Sequence, residues 1–75
     1  MQIVRFYLSL EREQILAYYQ GAARQVVVMA TDGRRIQFPV ENLRPYVTAD
    51  GIHGWFEMRL SEQHKLIDLR RVEKR

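Results

Sequence analysis

The chain has no cysteine and, among its 75 residues, only two prolines, two histidines and one tryptophan. The missing thiols exclude a disulfide framework, a thiol nucleophile, an iron–sulfur cluster and a cysteine-based zinc site. Long apolar runs are also lacking. The longest, Val26 to Ala30, falls far short of the roughly 18 residues a membrane helix needs. The opening residues Met1-Gln2-Ile3-Val4-Arg5-Phe6 lack the basic start and apolar stretch of a signal peptide, and charge returns at Glu11, Arg12 and Glu13. A cytoplasmic location without membrane attachment is the expectation. The glycines stand apart at Gly21, Gly33, Gly51 and Gly54, so no glycine-rich phosphate loop is present.

With 47% hydrophobic and 28% charged residues, the composition is that of one folded domain rather than a disordered or coiled-coil chain. Residues 1–75 are read as that single domain, with Glu73-Lys74-Arg75 as a charged, mobile tail. Lys and Arg number 12 against 9 Asp and Glu, and the resulting charge of +3 names no partner by itself. The excess is spread along the chain, so any basic site must be assembled by folding.

Residues 2 to 10 alternate, with Val4, Phe6, Leu8 and Leu10 on one face and Arg5 and Ser9 on the other beside Ile3 and Tyr7. This predicts a strand. Ser9 is placed to cap a helix over about residues 11 to 20, with Glu11 and Glu13 in its first turn and Ile15, Leu16, Tyr18 and Tyr19 as its apolar stripe. Gly21 is the expected left-handed stop. Arg24 to Thr31 and Arg34 to Phe38 flank Asp32-Gly33, a hairpin signal. A two-residue loop there sets Met29 against Ile36 and Val27 against Phe38, with Val27, Met29, Ile36 and Phe38 on the buried face. Val40 to Thr48 suits a single helical turn broken before Pro45, read as a connector. Beyond Asp50-Gly51, Ile52, Gly54, Phe56, Met58 and Leu60 alternate with His53, Trp55, Glu57 and Arg59, and Leu66 to Val72 forms the last strand.

The predicted fold is α+β, in the order β-α-β-β-β-β. Five mostly antiparallel strands form a twisted sheet or small barrel, with one helix between strands 1 and 2. The expected core is Val4, Phe6, Leu8, Ile15, Tyr19, Val27, Met29, Ile36, Phe38, Leu43, Phe56, Met58, Leu60, Ile67 and Leu69.

Chemistry-bearing patterns are sparse. Two histidines without carboxylates at ligand spacing argue against a metal, and no cofactor motif is present. Ser9, Thr31, Thr48 and Ser61, the non-tyrosine hydroxyls, show no nucleophile–base arrangement, so an enzyme is not expected. The candidate interaction surface is Arg34, Arg35, Arg44, His53, Trp55, Arg59 and Arg70. Trp55 falls on the non-core face of its strand. It either contacts a partner chain or is covered by the helix or the Tyr46 connector, and the covered arrangement is preferred. Two functions follow. The first is a protein-interaction module that binds an unknown protein or itself. The alternative is a small-barrel nucleic-acid-binding protein using scattered arginines and Trp55 as a stacking platform. Convergence of the arginines on Trp55 would favour nucleic acid, and dispersal would favour protein interaction.

The segments Tyr18-Tyr19-Gln20-Gly21, Gln37-Phe38-Pro39, Leu43-Arg44-Pro45-Tyr46-Val47-Thr48 and Gly51-Ile52-His53-Gly54 resemble a proteobacterial family of short stand-alone proteins catalogued as a domain of unknown function. The resemblance spans nearly the whole chain. It implies a cytoplasmic single domain and transfers no catalytic or ligand residue. The chain departs from cyclic-dinucleotide receptors of the PilZ type, because Arg70-Arg71 lies at the wrong end and the Asp-x-Ser-x-x-Gly companion is missing.

Overall fold

A computed structural model describes residues 1–21 and 24–73. Lys74 and Arg75, and with them most of the expected tail, lie outside the described residues. The elements are β1 (Gln2–Leu10), α1 (Arg12–Gln20), β2 (Gln25–Met29), β3 (Arg35–Pro39), a 3₁₀ helix (Val40–Tyr46), β4 (Ile52–Leu60) and β5 (Leu66–Val72).

The strands divide into two antiparallel sheets, β1-β4-β5 and β2-β3. This corrects the single five-stranded sheet with one helix. The hairpin turns its inward apolar side chains onto the apolar face of the larger sheet instead of extending that sheet's ladder. Phe6 of β1 lies 5.8 Å from Phe38 of β3 and, on its own sheet, 5.8 Å from Phe56. Among the described residues the hairpin backbone pairs with β1 at Ala30, small enough for close approach, opposite Phe6, where the Thr31 N–H donates to the Arg5 carbonyl at 2.9 Å. The strands therefore run β5-β4-β1-β2-β3 around a shared core, with no ladder between β3 and β5 among the described residues. Ile15 of α1 and Val40 and Leu43 of the 3₁₀ helix are buried in that core. Tyr46 packs edge-on to Phe56 at 5.3 Å and donates its hydroxyl to the Leu69 carbonyl at 2.9 Å, tying the second helical segment to β5.

The hairpin register is one residue off the expected one. Val28 opposes Ile36 and Val26 opposes Phe38. The loop has three residues, Thr31-Asp32-Gly33, closed by Ala30 N–H to Arg34 carbonyl at 2.8 Å. In such loops a single left-handed residue follows a type I turn, and Gly33, at φ 90°, supplies it. One residue of slip inverts both faces of a strand. Val26, Val28 and Ala30 are consequently buried, while Val27 and Met29, expected inside, are exposed.

Other corrections are local. Ser9 does not cap α1. The cap is Glu11, whose backbone N–H donates to Gln14 Oε1 at 2.8 Å in a reciprocal capping box. Gly21 is extended at φ −76°, not left-handed. Leu16 is exposed, so the helix buries a narrower stripe than expected. Ile67 is also exposed, because Arg59 pairs with Asp68 while the next residue, Leu60, pairs with Leu66. Ile67 is the extra residue of that bulge, and Leu66 packs against the core in its place.

Candidate interaction face

In the β1-β4-β5 sheet, directly opposed residues share a face and form cross-strand rows. On the face turned away from the core, one row is Ile3–Arg59–Asp68 and the next is Arg5–Glu57–Arg70. The third is Tyr7–Trp55–Val72, followed by Ser9–His53. Both helical segments contribute their buried residues to the opposite side.

Charge on this face is largely matched within it. Glu57 is buried between two guanidinium groups, with Arg5 Nε at 2.9 Å and Arg70 Nη2 at 2.7 Å. These hydrogen bonds, Arg70's foremost and then Arg5's, hold the Glu57 carboxyl below its ordinary value against the opposing effect of desolvation. Arg59 grips Asp68 through Nε at 2.8 and 2.9 Å and also through Nη2, lowering the Asp68 carboxyl and raising its own guanidinium. His53 is fixed at both ring nitrogens, 2.9 Å from Ser9 Oγ and 2.9 Å from the Asp50 carbonyl. The carbonyl can only accept, so Nε2 donates to it, and Nδ1 shares the other hydrogen bond with the Ser9 hydroxyl. Ser9 thus serves a partner on β4 rather than the helix.

The remaining side chains are apolar. Tyr7 meets Trp55 edge-on, with ring centroids 5.5 Å apart. Trp55 is half-buried, packed by its row neighbours. The Tyr46 connector lies instead against Phe56, on the core side. Ile3 and Tyr7 are more than half exposed.

Of the candidate residues, the structure brings His53, Trp55, Arg59 and Arg70 together on this face and leaves three elsewhere. Arg34 sits beside the hairpin loop, bonded to Asp32 at 2.8 Å and to Gln2 at 2.6 Å. That contact and, foremost, the Arg34 backbone N–H lower the Asp32 carboxyl. Arg35 is on the outer side of β3 opposite Met29, and Arg44 on the 3₁₀ helix lies 5.7 Å over the Tyr19 ring. Sequence reading placed Glu57 beside Trp55 by alternation but left out Arg5, Tyr7 and Val72 as members of the face. The alternation of residues 2 to 10 already grouped Ile3, Arg5 and Tyr7, but only pairing with β4 shows that they stand beside Trp55.

Among the described residues, no group of three or more His, Asp or Glu is placed to hold a metal ion, and no helix is long and apolar enough to cross a membrane. The fold is therefore that of a small α+β protein whose distinguishing surface is an open sheet face. The chain belongs to the family described as Protein of unknown function (DUF2835), which it matches over residues 2–72. No curated protein and no solved structure matches it.

Proposed function

We propose that the protein is a non-enzymatic, cytoplasmic interaction module that self-associates through the outer face of β1-β4-β5. The observation that carries this is the apolar row Tyr7–Trp55–Val72, beside arginines that are each already bonded to a carboxylate of the same face, with a net excess of one positive charge. An apolar strip beside side chains whose hydrogen bonds are met within their own face can meet a second copy at a smaller desolvation cost than unpaired charges would impose, and the two arginines on Glu57 leave one excess positive charge for the polar rim. Strands of nine, nine and seven residues give a face of roughly 30 Å by 14 Å, or about 400 Å². Two copies would then bury about 800 to 1,000 Å² in total, within the range of weak, transient interfaces. Association is accordingly expected only at high protein concentration.

The nucleic-acid alternative draws less support. Arg34, Arg59 and Arg70 each face a carboxylate, and Arg34, Arg35 and Arg44 stand on elements other than the Trp55 sheet. Sedimentation equilibrium over a concentration and salt series tests the proposal. Association that persists or strengthens with salt, and that Tyr7→Arg abolishes, supports it. A monomer at every concentration removes it. Salt-sensitive binding to single-stranded RNA or DNA would favour the alternative.

A further inference from the structure

The unpaired side of β3 borders a groove of about 410 Å³ between the two sheets. Its rim carries Arg34, Arg35 and His64, its floor includes Met58, Leu60 and Leu66, and no carboxylate lines it. The hairpin hydrogen bonds fix which backbone groups of β3 face this groove. Ala30 N–H donates to the Arg34 carbonyl at 2.8 Å and Val40 N–H to the Arg24 carbonyl at 2.9 Å. Antiparallel pairs alternate between bonded and non-bonded. Ile36 and Phe38, in register with that pattern, therefore bond to β2, while Arg35 and Gln37 direct their N–H and C=O groups away from it. No other described strand pairs with β3 and no described side chain reaches these groups, and Pro39, lacking an N–H, ends the free edge.

We infer that this edge and groove form a docking site for an extended segment of another protein in which acidic and apolar residues alternate. A strand bonded to Arg35 and Gln37 places its residues opposite them on their outer face, beside the Arg35 guanidinium. Its intervening residues point to the floor of Met58, Leu60 and Leu66. Backbone pairing gives affinity and the alternate side chains give selectivity. Arg35 and Pro39 are features that discourage indiscriminate edge pairing. Here they also set the charge and the short length of the occupant. The site combines the free edge of β3 with the inner side of the β1-β4-β5 sheet, opposite that sheet's outer face, and does not depend on self-association.

The test is a ¹⁵N-HSQC titration of the full chain with the blocked peptide Glu-Val-Glu-Val-Glu. Controls are Lys-Val-Lys-Val-Lys and an acidic peptide N-methylated at its glutamates. The acidic peptide is expected to shift the Arg35 and Gln37 amides, with an affinity about tenfold or more above that of the lysine peptide. N-methylation should abolish the effect, and Arg35→Glu, at an exposed position, should invert the charge preference. Unmoved Arg35 and Gln37 amides, equal binding of both charges, or full binding of the N-methylated peptide would each overturn the proposal. Tyr7→Arg should leave the titration unchanged, which separates this site from the self-association face.

Discussion

Val27 and Val28 are neighbours of one residue type in one strand, and the hairpin register decides which of them matters. Val28 is 6% exposed and Val27 45% exposed. Val28→Ala removes two buried methyl groups at about 0.8 kcal/mol each and leaves a small cavity, for a loss of about 2 to 2.5 kcal/mol. Val27→Ala removes groups already half in water, so its burial loss and reduced strand preference together stay below about 1 kcal/mol. With a urea slope of about 1 kcal/mol per molar for so small a domain, the midpoint should fall by about 2 M for Val28→Ala and by less than about 1 M for Val27→Ala. Urea unfolding followed by Trp55 fluorescence and far-UV circular dichroism reads both. If Val27→Ala is as costly as Val28→Ala or more so, the three-residue loop is wrong and the two-residue loop, with inverted faces, is restored.

Two glycines with positive φ should respond very differently to alanine. At Gly51, at φ 101°, a Cβ would stand 2.2 Å from the Leu10 carbonyl oxygen and 2.9 Å from Arg12 N, both backbone atoms, so Gly51→Ala should cost about 3 kcal/mol or more. Gly33, at φ 90°, meets nothing within 4 Å, so Gly33→Ala should cost only about 1 kcal/mol; paired denaturation curves compare the two. Stability should also depend on acid. Glu57, Asp68 and Asp32 are held below their ordinary values of 4.5, 3.8 and 3.8, so they bind protons less readily folded than unfolded. Their contribution is full above those values and is lost as pH falls through the lower folded ones. Melting temperatures should therefore decline below about pH 4.5, with a smaller decline in Glu57→Gln; an unchanged slope in that variant would refute the assigned role of Arg70 and Arg5.

Strands β1 and β4 of the larger sheet were legible because their inward apolar residues alternate cleanly. Val4, Phe6 and Leu8 in β1 and Phe56, Met58 and Leu60 in β4 admit only one inward face. Val26 to Ala30 is apolar at every position, so periodicity cannot choose between its faces. The choice passes to loop length, and Asp32-Gly33 fits both a two-residue and a three-residue loop. Contacts distant in sequence were equally invisible: Ser9 reaches His53 across 44 positions, and the bulge that expels Ile67 exists only through pairing of β5 with β4. The same distinction holds for the site. His53, Trp55 and Arg59 were grouped correctly by alternation within one strand. Arg34, Arg35 and Arg44 were included for their charge, which says nothing about the face a residue occupies.

The most direct test of the interaction proposal is a dilution series followed by ¹⁵N-HSQC, because it reports both whether the protein self-associates and where. The account predicts concentration-dependent shifts at the Trp55 indole N–H and at the Ile3, Tyr7 and Val72 amides, with the outer hairpin residues Val27 and Met29 unmoved. Spectra that do not change with concentration, or changes confined to the hairpin, would contradict it.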